Sequence, residues 1–156
     1  MYIIGLGEYA ISESHDESIT THALGSCVAL IIHCKLTKCT GMAHIVLPKY
    51  DTHHDLFHKK EAYFADVIAP KMIDYFLSRR FCNKKGLEIT LIGGAEAKDH
   101  RDMFKVGQRN MHEIEGILHA YGLSYNKEET GGRFSRSVTV QVADGSIDIR
   151  KNKMLL

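Results

Sequence analysis

The 156-residue sequence lacks several features that would point to a particular class of protein. No apolar run approaches the ~20 residues that a membrane-spanning helix needs. The formal net charge of +1 gives no electrostatic reason to expect nucleic acid or an anionic membrane as a partner. The first residues also lack the basic and long apolar segments of a secretion signal. We therefore expect one domain over residues 1–156, located in the cytoplasm and not inserted in a membrane.

Clear metal-binding patterns are also missing. None of the four cysteines belongs to a C-x-x-C pair, and the spacing of Cys34 and Cys39 is loose for half of a zinc site. Three histidines, His53, His54 and His58, gather in one polar segment, but cysteine and helically spaced acidic partners are largely absent there. A solvated loop is therefore favoured over a metal site, and we expect neither a metal nor a cofactor.

Short apolar or alternating segments predict a chain rich in strands. They lie at residues 2–4, 8–11, 18–21, 28–32, 40–47, 87–92, 123–130, 138–142 and 147–149. Between the first two, Gly5-Leu6-Gly7 lacks the third glycine of a phosphate-binding loop and predicts a bulge or close backbone packing. Between the last two, Asp144-Gly145 predicts a hairpin with a type I′ turn.

Two longer segments have helical periodicity. The first spans residues 61–80, with an apolar stripe that predicts a core-facing surface: Phe64, Ile68, Met72 and Phe76. Pro70 falls inside this segment and predicts a kink or a split, so that the helix effectively starts near Ala69. The second follows Asn110, a candidate N-cap, and ends before Gly122, a candidate C′ glycine.

One cysteine and one histidine have spacing that suits catalysis. Cys27 ends the small-residue turn Leu24–Cys27 and precedes the continuously apolar segment 28–32, while His44 lies inside the next apolar segment. A hairpin would bring His44 back beside Cys27, although the sequence does not define the register. A thiolate with a histidine base can transfer an acyl group from an amide. The alternative is that Cys27 is a small buried residue and His44 a hydrogen-bonded core histidine.

The turn before Cys27 has a second property that suits this chemistry. An acyl-transfer site needs donors for the negative oxygen of its tetrahedral intermediate. Backbone N–H groups of Gly25 and Ser26 are candidates for this oxyanion site, since glycine allows the backbone to face inward.

Motifs spread over nearly the whole chain carry a resemblance to a known family. They are Gly5–Ala10, Thr21, Leu24–Ala29, Gly41–His44, Leu47-Pro48, Gly93–Ala95, Gly107, Arg109-Asn110, Glu129–Gly132 and Arg136–Val138. The most specific feature is L-G-S-C followed by G-M-A-H at this separation. With these motifs the chain resembles the chemoreceptor glutamine deamidase (CheD) family of bacterial and archaeal chemotaxis.

The resemblance implies an α+β fold, an α/β/β layered sandwich of mixed sheets with two main helices on one side, similar to toxin-type cysteine deamidases. It implies hydrolysis of glutamine side-chain amides on methyl-accepting receptors to glutamate and ammonia through a thioester on Cys27. Some members also remove methyl esters. His44 would be the general base and acid, and Thr21 would orient it. Strand alternation lets only one of Thr20 and Thr21 face inward, and the family spacing selects Thr21.

The same resemblance implies partners and an alternative function. The expected partners are the cytoplasmic helices of receptors and a CheC-type phosphatase, and the chain alone is expected to be a monomer. The alternative is a mainly regulatory binding module that pairs with this phosphatase. The sequence departs from the family pattern at Glu96–His100 and at Arg133, which affects expected partner contacts more than chemistry. Cys27 is expected to be the reactive thiol, and the other three cysteines are expected to be dispensable.

Overall fold

The computed structural model describes residues 1–50, 60–96 and 105–153. The histidine-rich segment with His53, His54 and His58 lies outside the described residues, as do the departures from the family pattern at 97–100. The strands are β1 (Tyr2–Ile4), β2 (Tyr9–Ser12), β3 (Ser18–Leu24), β4 (Val28–Cys34), β5 (Thr40–Ile45), β6 (Leu87–Gly93), β7 (Asn126–Thr130), β8 (Phe134–Gln141) and β9 (Ile147–Lys153). The helices are α1 (Ala65–Ser78) and α2 (Val106–Ala120), with short 3-10 turns at Glu61–Tyr63 and Lys84–Gly86. Within the described ranges no helix is long and apolar enough to cross a bilayer.

The strands form two mixed sheets that pack face to face. The four-stranded sheet has the order β1-β3-β8-β9, with β1 parallel to β3. The five-stranded sheet has the order β2-β5-β4-β6-β7, with β6 parallel to β7. Both helices contribute to a core on one face of the five-stranded sheet, and a second core fills the space between the sheets. The expected α+β class with two mixed sheets and two main helices is confirmed.

Strand β4 lies at the centre of this arrangement and is buried along its whole length. Because side chains alternate along a strand, Val28, Leu30 and Ile32 pack in the helix-side core. Ala29 and Ile31 pack in the core between the sheets. Burial on both faces accounts for the continuously apolar segment 28–32 of this strand.

Helix α1 keeps its first turns despite Pro70. The predicted start near Ala69 is wrong, because the helix begins at Ala65, whose backbone N–H bonds to Leu47 O at 2.9 Å. Pro70 has no N–H to offer the preceding turn, which costs the helix one hydrogen bond. The apolar stripe is buried as predicted, with Ile68 and Phe76 fully inaccessible. Packing of this stripe against the sheet outweighs the local effect of the proline.

Helix α2 starts earlier than predicted. Its N-cap is Lys105, so the assignment of Asn110 as N-cap is wrong, and Asn110 is buried inside the helix. The predicted C′ glycine is confirmed: Gly122 has a φ of +69°. The N–H groups of Gly122 and Leu123 bond to His119 O and Leu118 O, both at 3.0 Å, which is the Schellman arrangement.

The final hairpin is confirmed, but its turn is not type I′. β8 and β9 pair antiparallel, with Val140 opposite Ile147. A type I′ turn needs positive φ at both central residues. Gly145 has a φ of +72°, whereas Asp144 is not among the residues with positive φ. The connection is instead a longer loop, closed by a bond from Gly145 N–H to Gln141 O at 2.8 Å.

Candidate active site

The β4–β5 hairpin places Cys27 and His44 on the same face of the five-stranded sheet. In its register, Ala29 lies opposite His44 and Val28 opposite Ile45. Cys27 directly precedes β4 and, two residues from Ala29, points to the same side as Ala29. The Cys27 and His44 side chains are therefore diagonal neighbours facing the space between the sheets. This register answers the question that the sequence left open.

Thr21 reaches His44 from the opposite sheet. Its Oγ1 lies 2.6 Å from His44 Nδ1 and 2.9 Å from Ile4 O. A threonine hydroxyl has one hydrogen, which the Ile4 carbonyl accepts, so the contact with His44 requires a proton on Nδ1. The other ring nitrogen, Nε2, is then the unprotonated one. Thr20 instead pairs with Thr139 on the neighbouring strand at 2.8 Å.

A bulge after Thr21 directs the chain into the nucleophile turn, which is the segment Leu24–Cys27 that ends at the candidate nucleophile. The pairing of β3 with β8 shifts register between Thr21 and Leu24, and Ala23 there has a φ of +55°. The bulge allows Thr21 and Leu24, three positions apart, both to be buried. Thr21 therefore faces His44 while Leu24 anchors the start of the turn in the core between the sheets.

The backbone of His44 is held by the segment between β1 and β2. Gly7 N–H donates to His44 O at 2.9 Å, and His44 N–H donates to Glu8 O at 3.0 Å. Gly7 has a φ of +73°, which favours glycine. The predicted close backbone packing at Gly5-Leu6-Gly7 is therefore confirmed, and it fixes the strand position of His44.

The free nitrogen of His44 is available as a base. His44 is 1% exposed, and its Nε2 has no hydrogen-bond partner among the described residues. A buried nitrogen without a partner is uncommon, because desolvation without a hydrogen bond carries a free-energy cost. Here the unpaired lone pair lies on the side chain that is the diagonal neighbour of Cys27.

Burial keeps both groups neutral in the resting state. Burial raises the pKa of the Cys27 thiol to about 11, although the Cys27 backbone N–H partly opposes this effect. Burial lowers the pKa of His44 to about 4. The pair is a thiol beside a neutral imidazole, so proton transfer has to accompany attack on a substrate.

The low pKa of His44 predicts a loss of stability in mild acid. An unfolded histidine takes up a proton near pH 6.5, whereas the folded His44 stays neutral down to about pH 4. The unfolded state binds more protons in this window, so the free energy of unfolding falls as the pH drops through it, by roughly 3 kcal/mol at most. Urea unfolding at several pH values should show this fall, and His44→Asn should reduce it. Some fall should remain, since burial also lowers the pKa of His33. An equal fall in both proteins would contradict the assignment.

The nucleophile turn is anchored through its carbonyl groups. Gly25 O accepts from Ala95 N–H at 2.9 Å, and Cys27 O accepts from Gly94 N–H at 2.8 Å. Ser26 O accepts from the Asn110 side chain at 3.0 Å. No backbone acceptor is found for the N–H groups of Gly25, Ser26 and Cys27 among the described residues. Among the described residues these three N–H groups are candidate donors to a substrate oxygen, although that of Cys27 also interacts with its own thiol.

The sequence-based argument that glycine at position 25 allows the backbone to face inward is not supported by the conformation of Gly25. Gly25 is absent from the positive-φ residues, and a Cβ added there would meet no atom within 4 Å. Close approach matters instead at Gly93 and Gly107. A Cβ on Gly93 would lie 2.4 Å from Cys27 O, and one on Gly107 would lie 2.2 Å from Ala95 O. Because neither glycine has a side chain, β6 and α2 can pack closely against the nucleophile turn and the loop that supports it.

Sequence reasoning missed one residue of this site. Asn110 is fully buried, and its Nδ2 donates to Ser26 O at 3.0 Å and to Val46 O at 2.9 Å. The available signal was its position: Asn110 falls on the apolar stripe of α2 with Ile114 and Leu118. A polar residue on a buried stripe needs a hydrogen-bond partner, which the N-cap interpretation did not supply.

Comparison with known proteins identifies relatives over almost the full length. The model of the CheD family, described as CheD chemotactic sensory transduction, matches residues 46–151. A probable chemoreceptor glutamine deamidase CheD of Syntrophotalea carbinolica is 32% identical over 149 residues, covering 94% of this chain and 91% of the relative. The chemoreceptor glutamine deamidase CheD of Thermotoga maritima is 31% identical over 149 residues, covering 96% and 90%. A probable chemoreceptor glutamine deamidase CheD of Methanococcus maripaludis is 31% identical over 153 residues, covering 97% and 96%. With a family match over more than half of its residues and such relatives along nearly all of its length, the chain belongs to the CheD family.

Proposed function

We propose that this protein hydrolyses the side-chain amides of specific glutamines on methyl-accepting chemotaxis receptors, giving glutamate and ammonia. The observation that carries the proposal is the Thr21–His44 contact at 2.6 Å, together with a His44 Nε2 that has no partner among the described residues and lies on the diagonal neighbour of Cys27. The names of the relatives, chemoreceptor glutamine deamidase, support the same substrate class. The catalytic residues are Cys27, His44 and, in an orienting role, Thr21.

Acylation begins with the neutral pair. As Cys27 Sγ attacks the amide carbon, the thiol proton passes to His44 Nε2, so that a free thiolate is never required. The N–H groups of Gly25, Ser26 and Cys27 are the candidate donors to the negative oxygen, because no backbone acceptor is found for them among the described residues. His44 then returns the proton to the departing nitrogen. Ammonia leaves, and a thioester between Cys27 and the receptor side chain remains.

Deacylation reverses the proton path. Water attacks the thioester carbon while His44 Nε2 removes its proton, and the same proton then goes to the departing Cys27 sulfur. The products are a glutamate side chain and the free thiol. A methyl ester of glutamate offers the same acyl carbon with methanol as the leaving group, so methylester hydrolysis is the natural second reaction of this site.

The proposal is tested with the substrate itself. The protein is incubated with a receptor cytoplasmic fragment, and peptides are analysed by mass spectrometry for gains of ~1 Da, the change from amide to acid. We expect such gains at a small number of glutamines and none in fragment incubated alone. Binding of the fragment with no mass change would instead favour the regulatory binding module.

Cellular context follows from the substrate. Receptor cytoplasmic helices are reached from the cytoplasm, so we place the protein there, acting as a monomer. A CheC-type phosphatase is the regulatory partner that the family resemblance implies. Adding this phosphatase to the deamidation reaction should lower the rate if it occupies the surface that receptors use.

Thr21 is expected to matter through its hydroxyl. Thr21→Val keeps the shape but removes the acceptor for His44 Nδ1–H, so the ring loses its fixed tautomer and kcat should fall ~10- to 100-fold. Thr21→Ser keeps the hydroxyl and should retain most activity. Steady-state deamidation of the receptor fragment measures both.

The matched control for Thr21 is Thr40→Val. Thr40 Oγ1 makes a similar contact, 2.7 Å from Nδ1 of the buried His33, on the same hairpin. Thr40→Val should lower the free energy of unfolding by about as much as Thr21→Val, without a loss of kcat. Equal losses of kcat in Thr21→Val and Thr40→Val would contradict the orienting role.

A further inference from the structure

Asn110 joins the two parts of the chain that carry the proposed nucleophile and base. Its Nδ2 donates one hydrogen to Ser26 O at 3.0 Å and the other to Val46 O at 2.9 Å. Ser26 directly precedes Cys27, and Val46 follows His44 by two residues. One side-chain amide thus bridges the nucleophile turn and the end of the base-carrying strand.

We propose that Asn110 is a positioning residue that sets the separation of Cys27 from His44. The inference rests on the proposed function, in which these two side chains exchange a proton. The N–H groups of Gly94 and Ala95 also hold the turn, but they bond to Cys27 O and Gly25 O and do not reach β5. The Asn110 amide contacts both partners at once.

The chemistry of the amide suits this task. Two carbonyl oxygens at hydrogen-bond distance require two hydrogens on one atom, which the Nδ2 of asparagine supplies. The reversed amide would set Oδ1 against both carbonyls, so the orientation of the side chain is determined by its partners. Aspartate lacks the donors, and glutamine is longer by one methylene. Oδ1 itself is buried without a partner among the described residues.

The close approach of α2 makes the bridge reachable. Gly107 stands one turn before Asn110, and a Cβ there would lie 2.2 Å from Ala95 O and 2.6 Å from Gly94 O. Glycine at this position therefore brings the first turns of α2 against the loop that supports the nucleophile turn. Asn110, on the same side of the helix, then meets Ser26 and Val46 directly.

The test compares Asn110→Ala with a matched variant of the same helix, Ile114→Val. Ile114 is also fully buried on α2 but packs in the helix-side core and makes no contact with the turn through a polar group. Two quantities are measured for each protein. One is kcat and KM for deamidation of the receptor fragment, and the other is the rate of iodoacetamide labelling of each of the four cysteines, mapped by peptide mass.

Asn110→Ala should change the two quantities in opposite directions. Loss of alignment should lower kcat ~10- to 100-fold with KM nearly constant. A freed turn admits water, so the pKa of Cys27 should fall from about 11 towards the ordinary 9.0. Its labelling near pH 9 should then rise about tenfold, because more thiolate is present. Cys34, Cys39 and Cys82 lie near the other end of the hairpin and should label as in the wild type. Ile114→Val should alter neither quantity.

Three outcomes would overturn the inference. The first is an unchanged kcat in Asn110→Ala. The second is a joint rise in the labelling of all four cysteines in this variant, which would indicate that the whole fold has become less stable. If Asn110→Ala does not fold, the wild-type protein decides: the two Asn110 side-chain amide protons should exchange slowly with D2O by NMR, and fast exchange would refute the bridge. Absence of wild-type deamidation would defeat the proposed function alone, since the labelling contrast still reports on the bridge.

Discussion

Cys27→Ala is expected to abolish deamidation of the receptor fragment, with a loss of at least ~10⁴-fold in kcat. The reason is that alanine removes the sulfur that forms the acyl-enzyme in the proposed mechanism, and water alone attacks an amide poorly. Cys27 is 7% exposed, so a glutamine side chain has to reach a largely buried sulfur. Mass spectrometry of the fragment, by the ~1 Da gain, measures the loss.

The control for this variant is Cys39→Ala. Cys39 is also a free, buried cysteine, and burial raises the pKa of its thiol to about 12. It directly precedes β5, at the end of the hairpin that is remote from the site, so its removal should lower the stability but not kcat. Equal activity of Cys27→Ala and the wild-type protein would exclude Cys27 as the nucleophile, whatever the partner-binding results.

His44→Asn is expected to lower kcat by about 10²- to 10⁴-fold. Asparagine can keep a hydrogen bond to Thr21 from its amide but has no equivalent of the Nε2 lone pair. The variant therefore separates the base from the contact that orients it. Because the thiol has a pKa of about 11 in its buried site, it cannot ionise near neutral pH without a base to take its proton. Single-turnover kinetics should show slow acylation rather than slow release.

His33→Asn provides a matched control within the same hairpin. His33 is 3% exposed, and its Nδ1 lies 2.7 Å from Thr40 Oγ1, so the pair closely imitates Thr21 and His44. The cysteines next to this pair in the chain, Cys34 and Cys39, pack in the helix-side core. His33→Asn should lower the free energy of unfolding but leave kcat near normal. An equal loss of kcat in His33→Asn and His44→Asn would indicate that the loss comes from replacing a buried histidine and not from removing the base.

Most strands and helices of this fold could be predicted, because apolar periodicity and residues typical of helix ends are visible in the local sequence. The apolar segment 28–32 became a strand, the stripe of α1 became core, and Gly122 ends α2. Pro70 was misjudged since its local penalty is outweighed by packing that the sequence does not display. The I′ turn at Asp144 failed for a related reason: a D-G pair is compatible with several loop lengths.

The site was predictable only in part. Cys27 and His44 stood out by type and spacing, but β4 is apolar on both faces, so its pattern could not specify a register. Asn110 was assigned by its neighbours along the chain, whereas its partner Ser26 is 84 residues away. Contacts of that separation have no local signature. The selection of Thr21 over Thr20 came from the family resemblance, not from periodicity.

The contact between Thr21 and His44 joins the two sheets, and this has a consequence for how the protein acquires activity. Thr21 belongs to the four-stranded sheet and His44 to the five-stranded one. Neither sheet alone holds Cys27 together with a His44 that is oriented by Thr21, and loops must close before such contacts form. A folding intermediate with either sheet formed separately would therefore carry Cys27 without its oriented base. Catalytic competence should be acquired late in folding, when the sheets dock, so that an incompletely folded chain is a poor modifier of other proteins.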